Sequence, residues 1–151
     1  MRIVRDDLTH PEVLALLELH VRAALENSPP GAAFVLDLSG LRDPAVTLWS
    51  AWDGETLLGL GALKALEPGH GEVKSMRTAP GQVRKGVAAA MLAHLIAEAR
   101  ARDWTRLSLE TGTNDAFAPA RALYERAGFR PSAAFGGYAL TEFNRCYALD
   151  L

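Results

Sequence analysis

The chain has 151 residues, 49% of them hydrophobic and 23% charged, with a formal net charge of −2. That length predicts one domain over residues 1–151 with one buried core. The composition argues against disorder, and the slightly negative charge argues against a general nucleic-acid binder. Cys146 is the only cysteine, so no intrachain disulfide can form; a buried, inert thiol and a reducing cytoplasm are expected. Residues 1–7 lack the apolar core of a signal peptide. No stretch is long and apolar enough to span a membrane, so a soluble protein with no membrane role is expected.

Arg2 to Arg5 reads as a short strand, and Thr9-His10-Pro11-Glu12 as a helix entry with Pro11 in the first turn. Val13, Leu16, Leu17, Leu19, Val21 and Leu25 fall mostly on one helical stripe. Asn27-Ser28-Pro29-Pro30-Gly31 ends it. The pattern is irregular from Gly31 to Pro44, with a short helix or turn over Asp37–Leu41. Val46 to Trp52 and Thr56 to Leu66 are apolar strands joined by the tight-turn pair Asp53-Gly54. After a second turn over residues 67–71, Glu72 to Thr78 completes a meander.

From Met76 onward the chain reads Met-Arg-Thr-Ala-Pro-Gly-Gln-Val-Arg-Lys-Gly-Val-Ala-Ala, an apolar strand entering a basic turn and then an alanine-rich helix. A turn that aims several main-chain N–H groups at one point, at the positive end of a helix dipole, favours a phosphate or diphosphate. Arg84 and Lys85 add cations, and Gly86 and Ala88 let a ligand approach the backbone closely. The helix places Val87, Met91, Leu95 and Ala99 on one face and ends near Arg100 and Arg102. Thr105 to Glu110 is a further strand, and a helix from about Phe117 to Ala127 is capped by Gly128. A turn-rich stretch through Pro131, Gly136 and Gly137 leads to a last strand over Arg145–Leu149.

Two segments in this order carry a family likeness. Asn114 follows the strand over 105–110, and Leu123-Tyr124-Glu125-Arg126-Ala127-Gly128-Phe129 closes the next helix; Met76-x-Thr78-x-Pro80 and Gly86-x-Ala88 precede them. The chain resembles the GNAT superfamily of acyl-CoA-dependent N-acetyltransferases, whose pattern of parts it follows along nearly its whole length. One position departs: the superfamily has Arg or Gln where this chain has Val83, with Gln82 and Arg84 on either side.

The resemblance implies an α+β (α/β) fold with a mixed, mostly antiparallel sheet of six to seven strands, flanked by about four helices and splayed between the fourth and fifth strands. It implies acetyl-CoA as cosubstrate and a small primary amine as acceptor, while the scattered histidines and single cysteine predict no metal. The superfamily often forms homodimers. Met76, Arg77 and Thr78 would bond pantetheine through their backbone, and Val83, Arg84, Lys85, Gly86, Val87, Ala88 and Ala89 would hold the diphosphate. Asn114 and Phe117 would border the pantetheine, with Tyr124 near the thioester. Tyr124 matches the tyrosine that protonates the departing thiolate, a fitting task for a phenol of pKa about 10. Glu72 stands where some members place a proton-accepting carboxylate, against the plainer reading of an ion pair with Lys74 or Lys64. Glu110 is its rival.

His10, His20, His70 and His94 lack the spacing of a metal site. His70 reads first as a solvent-exposed turn residue and second as a relay partner beside Glu72, and His20 is a candidate for the acceptor pocket. Trp49 and Trp52 read first as core, and Tyr138 as a weak candidate for contact with the acceptor. Two other functions fit parts of the pattern. One is an acyl-CoA-binding sensor or structural subunit without chemistry; the other is a nucleotide-phosphate module, which lacks the Gly-Lys-Ser/Thr ending of a P-loop.

Overall fold

The computed structural model describes residues 1–31 and 38–151. In chain order the elements are β1 (Arg2–Arg5), α1 (Pro11–Glu26), α2 (Leu38–Leu41), β2 (Val46–Asp53), β3 (Thr56–Glu67), β4 (His70–Thr78), α3 (Val87–Ala101), β5 (Arg106–Gly112), a 3₁₀ turn (Asp115–Phe117), α4 (Ala118–Arg126), β6 (Arg130–Ser132) and β7 (Asn144–Asp150). Asp37, the first residue of the expected short helix or turn, lies outside the described residues. The strands form one sheet in the order β1-β2-β3-β4-β5-β7-β6, antiparallel except for β4 beside β5.

Local sequence explains most element boundaries. His10 caps α1, its ring Nδ1 accepting from the Glu12 amide at 3.1 Å, and Pro11 needs no helical N–H partner in the first turn. The buried stripe of α1 is Val13, Leu16, Leu17 and Ala24. Leu25, expected on that stripe, is instead 59% exposed, because Ala24 takes the inward position and the next residue points roughly 100° around the helix. Gly54 and Gly69 adopt positive φ at the two hairpin turns.

Strand β4 carries the irregularity that shapes the molecule. Across β3, Leu60 pairs with Arg77 but Ala62 pairs with Lys74, so β4 holds an extra residue, and Ser75 takes the left-handed conformation with φ 55°. A bulge of this kind bends the strand and ends regular pairing. On the other edge β4 pairs with β5 only through His70↔Arg106, Gly71↔Leu107 and Glu72↔Ser108, and the two strands then part. The expected splay is present. His70 fastens the closed end, with Nε2 2.7 Å from the Ser108 hydroxyl.

Apolar layers cover both faces of the sheet. One layer holds Met91, Leu92, Leu95, Leu107, Leu109, Phe129 and Tyr147; the other packs Val13, Leu16 and Leu17 of α1 on Leu48, Leu57, Leu60 and Ala62. Trp49 belongs to the first layer and Trp52 to the second, so both tryptophans are core, as expected. Gly61 lets α3 settle on β3: a Cβ there would lie 2.6 Å from the Met91 side chain.

Candidate functional site

Where β4 and β5 separate, they leave a cleft of about 220 Å³. Its walls are residues 72–77 of β4 and 110–112 of β5. The C-terminal half of α1 closes one side through His20, Ala23 and Asn27, and Phe117, Ala120 and Tyr124 close the other. Tyr138 and Phe143, from the connection between β6 and β7, form the remaining rim.

Glu72 is 3% exposed and firmly held. Lys74 Nζ donates to Glu72 Oε2 at 3.2 Å and to Tyr138 Oη at 2.7 Å, and the Tyr138 hydroxyl donates to the same carboxylate oxygen. The i,i+2 spacing on a strand puts Glu72 and Lys74 on one face, so this ion pair was readable from the sequence. Tyr138 is thus part of the cleft. Its phenol is pushed far above the ordinary range by burial and by Glu72.

Glu110 faces the cleft from β5. Burial raises its pKa, partly opposed by Asn144, whose Nδ2 donates to Glu110 Oε2 at 3.2 Å. Asn144 is itself fixed by donating to the Ala139 carbonyl and accepting from the Thr141 amide. No sequence pattern pointed to Asn144. Cys146 sits opposite Glu110 in the β5–β7 register, buried, with its thiol pKa raised by burial. His70 directs its ring toward Ser108, Glu67 and the Phe135 ring. These contacts make it a clasp between β4 and β5.

His20 lies in the cleft wall, where burial and the nearby cations Arg77 and Lys74 lower its pKa to about 4. It is therefore neutral at pH 7. Arg77 is half-buried, with its pKa lowered by burial, and its Nε is buried without a partner among the described residues, as is the Ser75 hydroxyl. Tyr124 is buried against the edge of Phe129, ring centroids 6.1 Å apart, and burial pushes its phenol up to about 12.

The basic turn continues from the end of β4. Gly81, Arg84 and Gly86 have positive φ, and Gly86 caps α3 without any side-chain hydrogen bond. No acidic residue stands in the first turn of α3. Arg84, Lys85, Gly86 and Ala89 are exposed, Ala88 is half-buried, and Val87 turns into the core. Val83 is 59% exposed and Lys85 donates to the Gln82 side chain at 3.1 Å. The first main-chain N–H groups of a helix have no partner within it, and among the described residues no side chain caps Gly86, so this strand-turn-helix geometry favours an anion. Met76 and Thr78 lie on the strand that joins this turn to the cleft.

Asn114 begins the 3₁₀ turn: its Oδ1 accepts from the Ala116 amide at 3.1 Å and its Nδ2 donates to the Asn27 carbonyl at the end of α1. It ties two walls of the cleft together. The Phe117 ring lies on Gly112, where a Cβ would come within 2.3 Å of it. Arg121, also without a signal in the sequence, donates to the carbonyls of Gly112 and Asn114 at 2.9 and 3.0 Å. Among the described residues no group of three or more His, Cys, Asp or Glu side chains is placed to hold a metal.

Residues 13–129 match the family described as Acetyltransferase (GNAT). The chain belongs to that family. Other GNAT-type relatives include the uncharacterized N-acetyltransferase YedL of Escherichia coli K12, 48% identical over 99% of this chain and 94% of its own. A Klebsiella pneumoniae structure described as an acyl-CoA N-acyltransferase superposes with TM-score 0.82 at 30% identity, covering 99% of this chain and 97% of the other. A Bacillus subtilis acetyltransferase solved in complex with CoA shares the GNAT fold with TM-score 0.75 at 20% identity, covering 99% and 98%.

Proposed function

We propose that this GNAT protein transfers an acetyl group from acetyl-CoA to the primary amine of a small molecule, by direct attack within a ternary complex. The observation that carries this reading is a continuous track. It runs from the uncapped start of α3, along the outer half of β4, to a cleft holding Tyr124, the buried Glu72 and the half-buried Glu110. The family membership and the coenzyme bound to the Bacillus subtilis relative support it.

In this reading the amides of residues 83–89, with Arg84 and Lys85, hold the diphosphate, and backbone groups of Met76, Arg77 and Thr78 bond the pantetheine. Asn114 keeps the α1 side of the cleft in register, and Phe117 borders the pantetheine. The coenzyme supplies an acyl carbon activated as a thioester. Glu110 accepts the proton of the incoming amine, because burial raises its pKa above the ordinary carboxylate value and Glu72 is already bound by Lys74 and Tyr138. Glu72 holds Tyr138 at the rim. As the new C–N bond forms and the C–S bond breaks, the Tyr124 hydroxyl gives its proton to the leaving sulfur. With its pKa near 12 the phenol stays protonated across the working pH range.

Thiol release from acetyl-CoA with a panel of small amines tests the chemistry, and calorimetry with CoA and ATP tests the anion site. Expected are turnover with at least one amine, binding of CoA without competition from ATP, and a fall in kcat of about 10²-fold or more in Tyr124→Phe with CoA affinity retained. Tight CoA binding with no turnover on any amine, unchanged in Tyr124→Phe, would leave a coenzyme-binding protein without catalysis.

A further inference from the structure

The charges of the cleft do not cancel locally. Lys74 and Glu72 form a closed pair, and His20 is neutral, which leaves Arg77 on the β4 wall and Glu110 on the β5 wall as single charges of opposite sign. Arg77 is close enough to His20 to help lower its pKa, and it pairs with Leu60 of β3, a residue of the layer packed by α1. Its neighbour Met76 packs into the core layer under α3. The Arg77 side chain is therefore on the face away from the helix start that suits a diphosphate.

Arg77 Nε and the Ser75 hydroxyl are both buried in this wall with no partner among the described residues. Leaving a buried donor unmatched is costly, more so for a charged one, and folded proteins keep few of them. The left-handed Ser75 that makes the bulge is what brings both residues into the cleft lining. A guanidinium N–H and a hydroxyl can donate to the two oxygens of one carboxylate, and a guanidinium matches that planar group better than an ammonium does.

We infer that the acceptor is an amino acid rather than a plain amine: its carboxylate is read by Arg77 and Ser75 while its amine faces Glu110. This rests on the acetyl-transfer reading and specifies its substrate class. Complementary single charges on opposite walls orient a dipolar ligand and discourage one that carries only a positive charge.

The experiment compares matched pairs that differ only in the carboxylate, phenylalanine with phenethylamine and lysine with cadaverine, in the intact protein and in Arg77→Gln and Arg77→Lys. The expected result is a kcat/KM about 10- to 150-fold higher for the amino acid, the range of one charge-assisted hydrogen bond. Arg77→Gln should erase that preference and Arg77→Lys restore part of it. Equal rates for acid and amine overturn the inference and leave acetyl transfer standing. A raised KM for acetyl-CoA in Arg77→Gln with acceptor preference intact also overturns it, since Arg77 would then serve the coenzyme. If no amine of any kind is turned over, the acetyl-transfer reading fails by itself. Calorimetric binding of phenylalanine to the CoA-loaded protein then decides the inference, supporting it if lost in Arg77→Gln and overturning it if absent or unaffected.

Discussion

Glu110 and His20 are titratable groups whose surroundings oppose their charged forms, and each makes a separate pH prediction. Glu110 has a raised pKa, so its carboxylate form costs the fold more than it would cost the unfolded chain; stability from this group is present at low pH and lost as pH rises through the raised value. Activity runs the other way, since only the carboxylate accepts a proton. Glu110→Gln is therefore expected to lower kcat/KM by about 10² or more and to abolish the acid limb of its pH profile, while raising the thermal midpoint at pH 7. Rate profiles and thermal melts on the same samples check both signs. His20 is lowered from 6.5 to about 4, so the unfolded chain takes up the proton first as pH falls. Stability should drop between pH 6.5 and pH 4 by up to about 3 kcal/mol from this group, and His20→Gln should flatten that slope in urea titrations.

At the scale of elements, Gly112 shows how a strand end sets a wall of the site. The Phe117 ring occupies the space a side chain would need, and Arg121 holds the carbonyl of the same glycine. Gly112→Ala should cost about 1–3 kcal/mol through overpacking and weaken CoA binding, because Phe117 must leave its place beside the pantetheine track. Urea unfolding and calorimetry on one variant measure both effects. A loss of stability with CoA affinity unchanged would separate Phe117 from the coenzyme.

Most elements were legible because they obey one local period. Val87, Met91, Leu95 and Ala99 mark α3 by spacing alone, and Asp53-Gly54 marks the hairpin. β6 was read as turn, since three residues containing Pro131 carry no alternation, and only its pairing with β7 makes it a strand. The bulge at Ser75 is invisible locally, because it exists in the register between β3 and β4. In the site, Glu72, Glu110, Tyr124, Tyr138 and His20 could be singled out, and the cleft brings all five together. Asn144, Arg121 and the inward side chain of Arg77 could not. Their roles come from contacts between residues distant in sequence, which no periodicity records.

At the scale of the whole molecule, the sheet is two antiparallel units, β1 to β4 and β5 to β7, joined at three residue pairs and opened beyond them. Alternate amides of a strand point to opposite neighbours, so between residues 73 and 78 and between 109 and 112 the amides directed into the gap lack a strand partner. Hydrogen exchange should find these faster than the amides of β2 and β3, which are paired on both sides. Adding CoA should slow exchange at residues 76–78 and at the start of α3 together, since one ligand spans both, while β6 and β7 keep their rates. If calorimetry records CoA binding yet the gap-facing amides of β4 exchange as before, the coenzyme lies elsewhere. The opening between the two units would then have to be explained by the acceptor alone.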